Sequence, residues 1–156
     1  MPYYRVLRIH EEGTRVIFGE DRAQLRTMYA EAWRKQCERL PMSPLEVQIA
    51  AVIELHPEYH ADVTGGHLDR NYTPDGGQTN PFLHMGLHLG IREQVATNRP
   101  PGIARIHEAL AAKLGDAHAA EHRMIDCLAE ALWEAQNQNR APDEEKYLDR
   151  LQRLTR

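Results

Sequence analysis

No stretch of this chain is apolar over the roughly 20 residues that a membrane span requires. The opening Met1-Pro2-Tyr3-Tyr4-Arg5 has no secretory core, so neither export nor insertion is expected and the cytoplasm is the expected location. Cysteine is nearly missing. Cys37 and Cys127 stand far apart without metal-type spacing, and both are expected to be free, buried thiols in a reducing compartment. There is no phosphate loop, dinucleotide fingerprint or nucleophile elbow, which excludes the common nucleotide-binding and serine-hydrolase designs. Positive charge is not in excess: the formal net charge is −4, against nucleic acid as the main partner. Repeats and low-complexity segments are absent too.

What remains is ordinary globular composition, 42% apolar and 27% charged over 156 residues, enough for one domain with a core. The expected organisation is an N-terminal extension over residues 1–19, either an arm or a small hairpin around Gly13, followed by a single helical domain over 20–156. Apolar positions Leu25, Met28, Tyr29, Ala32 and Trp33 recur at the helical period and predict a helix from about Asp21 to Glu38. Ser43-Pro44-Leu45-Glu46 is a capping box with proline at the first helical position. It predicts a second helix, ended near His56 by Pro57. Residues 62–79 are polar and turn-rich, a loop long enough to suggest a functional role. Asn80-Pro81 opens a third helix that is apolar almost all round. Gly102 to Gly115 frames a fourth, Asp116 caps a long fifth, and Asp143 to Leu154 makes the last. The fold class expected is therefore all-α, a bundle of five to six helices with the long polar loop near its histidine end.

Histidine is the residue in excess. There are nine, and six of them form pairs four residues apart: His56/His60, His84/His88 and His118/His122. Random placement would give about 0.5 such pairs. On a helix, positions i and i+4 share a face, so both imidazoles of a pair can reach one metal. His84 and His88 lie on a stripe continued by Ile91 and Val95, His118 and His122 on one continued by Ile125 and Leu132, and His56 follows Ile49, Val52 and Ile53. All three elements aim histidine inward, where every ring nitrogen needs a partner. In an antiparallel bundle the end of the second helix lies beside the starts of the third and fifth, which gathers the three pairs at one end. His107, in the second turn of the fourth helix, falls at the other. His10 lies in the N-terminal segment and His67 in the long loop expected to cover the histidine end.

The six paired histidines are thus candidate metal ligands, with Glu58, Asp116 and Glu121 as additional ligands or as acceptors that orient the imidazoles. Asp116 also reads as a plain helix cap. Arg92, one turn beyond His88, is either an anion clamp or the salt-bridge partner of a nearby glutamate.

The chain resembles the bacterial domain of unknown function 1841 family. The matching stretches are His56-Pro57-Glu58-Tyr59-His60, Gln78 through Leu89, Ile91-Arg92-Glu93-Gln94, Pro100-Pro101-Gly102-Ile103, and His118 through Gln136 with Cys127-Leu128 and Leu132-Trp133. The resemblance covers about Phe18 to Leu151 and implies a small proteobacterial cytoplasmic protein of no assigned activity. Residues 1–17 depart from it, since members tend to begin near Ile17 or Phe18. A looser, architectural similarity links the pattern to hemerythrin-like and other histidine-rich metallobundles, without their full motif.

Imidazole suits iron, zinc, copper and nickel. Six histidines exceed the four ligands of one structural zinc and favour a dinuclear centre, iron first, with oxygen or redox-type or metal-assisted chemistry on an unknown small-molecule substrate. The alternatives are a mononuclear zinc hydrolase or transferase and a non-catalytic, metal-free network of buried histidines. A homo-oligomer is compatible with each.

Overall fold

The computed structural model describes residues 21–64, Leu68 and residues 80–156, and among these the chain is all-α, with no strand. The expected segment 1–19, His10 and His67 lie outside the described residues. The helices are α1 (Asp21–Glu38), α2 (Pro44–Glu54), a 3-10 turn (Pro57–Tyr59), α3 (His60–Val63), α4 (Pro81–Thr97), α5 (Ile103–Leu114), α6 (Ala117–Asn137) and α7 (Glu144–Leu154). Among the described residues no helix is long and apolar enough to cross a membrane.

Side-chain caps set most helix starts. At α2, Glu46 N–H donates to Ser43 Oγ at 3.2 Å and Ser43 N–H donates to Glu46 Oε1 at 2.9 Å, the reciprocal bonding of a capping box. Asn80 Oδ1 accepts from the Phe82 and Leu83 amides, Asp116 Oδ1 from His118, and Asp143 Oδ1 from Lys146. Ser43→Ala is expected to cost about 1 kcal/mol of stability in urea unfolding. The Lys35 ammonium, 2.7 Å from Glu46, and the Ser43 amide hold the Glu46 carboxyl down to about 2. A depressed folded-state pKa gives stability that is present above the unfolded value, about 4.3, and is lost as pH falls through about 2. The stability gap between the native chain and Glu46→Gln should accordingly shrink across that window. A gap that stayed constant down to pH 2 would show the ion pair to be inert.

The chain falls into two compact units that divide after Leu89. In the first, α1 packs on α2 and α3 around Tyr29, Ala32, Ile49, Val52, Ile53, Val63, Phe82 and Met85. Each large apolar side chain buried there is worth roughly 1.5–3 kcal/mol. Arg26 is also buried; its Nη1 donates to the Leu68 carbonyl at 2.9 Å and its guanidinium lies over the Phe82 ring. In the second unit, from Gly90, helices α5, α6 and α7 pack on one another with Ile103, Leu110, Met124, Leu128 and Leu151 inside. Tyr147 is wholly buried and its hydroxyl donates to Gln94 Oε1 at 2.7 Å, satisfying a polar group that burial would otherwise penalise.

One expectation differs. Cys37 is exposed rather than buried, although both cysteines are free. Trp133 is 64% exposed.

Candidate metal centre

The His56 end of α2 is where Pro57 acts. Proline cannot donate and disfavours a helical residue before it, so α2 stops at Glu54 and the chain re-enters as a 3-10 turn. His56 sits at the break with φ −125° and ψ 69°, and is only 1% exposed. Its Nδ1–H donates to the Val52 carbonyl at 2.7 Å. A carbonyl can only accept, so Nδ1 carries a proton, and in the neutral ring Nε2 keeps its lone pair. That is the arrangement by which a backbone oxygen fixes the tautomer of a metal-binding imidazole.

His60 is handled differently. Its Nε2–H donates to the Ile53 carbonyl at 2.9 Å and its ring lies 4.4 Å from that of Trp33. The break at Pro57 means that His56 and His60 are not on one continuous helix, and the shared face that i, i+4 spacing provides is lost.

On α4, His88 is wholly buried and His84 half-buried. Their Nε2 atoms are 3.2 Å apart. The His56 ring centroid lies 4.6 Å from that of His88 and 5.0 Å from that of His84, so three imidazoles form a triangle. Tyr59 closes one side, stacked 5.4 Å from His56 and edge-on to His84 at 5.9 Å. Its phenol pKa is raised, by partial burial first and then by the Glu58 and Asp62 carboxylates. Tyr59 carries no metal-ligand spacing of its own in the sequence, and its place beside the histidines follows from the 3-10 turn.

On α6, His118 and His122 are half-buried with centroids 4.3 Å apart, the approach that i, i+4 geometry gives. Glu121, between them in sequence, is 6% exposed and accepts from Arg92 Nε at 2.7 Å and 3.3 Å. Of the two expected roles of Arg92, the salt bridge is present. Asp116 is exposed and its carboxylate caps α6 through the His118 amide, and Glu58 is exposed.

Ligand atoms of His56, His88, His118 and His122 all lie within 4.8 Å of one another, so these four nearby histidines can hold a metal ion. His60, His84, His107, Glu58, Asp116 and Glu121 are not part of this mutually close group. His84 is nevertheless tied to it through His88. A 3.2 Å separation of two imidazole nitrogens is a hydrogen bond if one carries a proton. If neither does, it approaches the ~3.3 Å spacing of two nitrogens on an ion with bonds of about 2.0–2.1 Å.

The fold and the histidine cluster define an all-α protein with a potential transition-metal centre. The chain matches the family described as Domain of unknown function (DUF1841) over residues 21–153, and it belongs to that family. Neither the curated proteins nor the solved structures contain a match.

Proposed function

We propose that this protein binds one transition-metal ion through His56, His88, His118 and His122. The observation that carries the proposal is the mutual 4.8 Å limit on four imidazole ligand atoms, two of them on fully buried rings. Among the described residues the group contains no carboxylate, and Glu121 accepts from Arg92, which favours a single ion over a carboxylate-bridged pair. Imidazole suits both iron and zinc, and iron is placed first. Four imidazoles on a six-coordinate ion would leave two positions open, and an ion with open positions supplies Lewis-acid or redox chemistry. Two free cysteines fit a reducing compartment, and a cytoplasmic location belongs to the same proposal.

The bond from His56 to Val52 and the contact between His84 and His88 favour one rival, a metal-free hydrogen-bonded network. Elemental analysis separates the two. Untagged protein, purified without chelator or nickel resin, should carry about one iron or zinc ion per chain, because neutral imidazoles and a transition metal bind tightly near pH 7. Protein that emerged without metal, and took up none from ferrous or zinc salts, would establish the metal-free network instead.

A further inference from the structure

Helix α2 is more apolar than its surroundings explain. Between Pro44 and Glu54 its only charged residues are Glu46 and Glu54. Glu46 is committed to Lys35 and to the Ser43 cap. The rest is apolar almost all round, the pattern of a helix covered on every side. Only one side is covered. Ile49, Val52 and Ile53 belong to the core that α2 shares with α1. Val47, Ala51 and Leu55 recur at every fourth position on the opposite side, with Leu55 as the helically disposed C-cap. Val47 is 49% and Leu55 45% exposed. Ala51, midway between them, is small enough to let a second helix approach closely.

Charge and symmetry name the occupant. Glu54 and Glu58 are exposed at the C-terminal end of this stripe, and no cation of α2 offsets them. A second α2 running antiparallel sets those carboxylates toward the positive N-terminal end of its partner and keeps the two acidic ends apart. A parallel pair would bring them together, and an anionic lipid surface would meet the same repulsion. The stripe also places an apolar residue four positions to either side of Ala51. A two-fold axis at Ala51 therefore sets Val47 against Leu55 of the partner subunit, and both copies use the same patch.

We propose that this chain pairs with a second copy of itself through the outer face of α2, antiparallel, with Ala51 on the two-fold axis. The proposal is independent of the metal centre. A single stripe of this length falls well short of the ~800 Å² per partner of a stable complex, so the dimer is weak and exchanges rapidly, with a dissociation constant on the order of 100 μM.

Sedimentation equilibrium of the full chain, from about 5 to 500 μM, reads the pairing. The average mass should rise with concentration from that of one chain towards that of two. Val47→Lys and Leu55→Lys change exposed positions only, so each should stay helical by circular dichroism and associate at least about tenfold more weakly. Trp133→Lys, at an exposed aromatic of α6, should pair as the parent does. Cross-linking reads the register. With the exposed Cys37 replaced by serine, Ala51→Cys should form a disulfide-linked dimer under diamide, because residues at the axis come within the ~7 Å between Cα atoms that a disulfide spans. Val47→Cys should not cross-link, since its two copies lie a turn to either side of the axis. A chain that stays monomeric throughout the range overturns the proposal. Association that both α2 lysine variants leave unchanged also overturns it, as does an equal loss in Trp133→Lys. Equal cross-linking at positions 47 and 51 overturns the antiparallel arrangement.

Discussion

Metal content should fall from about one ion per chain to less than about a tenth when His88 is replaced by alanine, because losing one of four nitrogen donors in a neutral set removes both affinity and geometry. The same loss is expected for His56→Ala, His118→Ala and His122→Ala. His107→Ala, on α5, should retain the wild-type stoichiometry. His84→Ala is expected to be intermediate, since its Nε2 sits 3.2 Å from that of His88 without belonging to the mutually close four. His60→Ala should keep the metal and lose only its bond to Ile53 and its packing on Trp33. All variants would be purified identically and compared by elemental analysis, with far-ultraviolet circular dichroism confirming that each is helical. Equal losses in His107→Ala and His88→Ala would mean that the metal binds elsewhere. Retention in all four variants would remove the centre altogether.

Chelation should lower the melting temperature by roughly 5–15 °C. An ion present at 100–1,000 times its dissociation constant adds about 2.7–4.1 kcal/mol to the folded state, and each kcal/mol moves the midpoint of a chain this size by about 2–4 °C. The ion draws on the break between α2 and the 3-10 turn, on α4 and on α6, so its loss is felt in three places rather than one. The drop should recur in His107→Ala and vanish in His88→Ala, whose melt should already sit near that of the chelated parent. Midpoints that stayed put while the metal was verifiably stripped would favour a network held by hydrogen bonds alone.

Much of this fold could be read from side chains that act locally. Ser43, Asn80, Asp116 and Asp143 each announce a helix, and each accepts the amide bonds that a cap should accept. Gly115 announces a stop and takes φ 68°. Other stops were silent. Arg39, Asn98 and Asn139 end α1, α4 and α6 at φ 56°, 49° and 48° without glycine. Here the signal is in backbone bonds, such as Leu40 to Lys35 and Arg99 to Gln94, that close the last turn.

The site divides in the same way. His84/His88 and His118/His122 lie on unbroken helices, so spacing alone brings their rings within 5 Å of one another. His56/His60 has the same spacing across Pro57, and there a local rule fails because the helix it assumes has ended. The buried Arg26 and the Tyr147–Gln94 bond join residues remote in sequence, and no local period reports such pairings.

The left-handed stop at Arg39 has a practical side. An L residue in that conformation costs about 1–2 kcal/mol, whereas glycine there forfeits about 0.5–1 kcal/mol of chain entropy. The difference leaves a margin of up to about 1.5 kcal/mol that the present sequence does not use. Asn98 has no such margin, because its Oδ1 also accepts from the Gly102 and Ala104 amides. A glycine at position 39, remote in sequence from every histidine discussed, would therefore give a sturdier parent chain, one in which the costliest substitutions at the centre could be made and still studied in a folded protein.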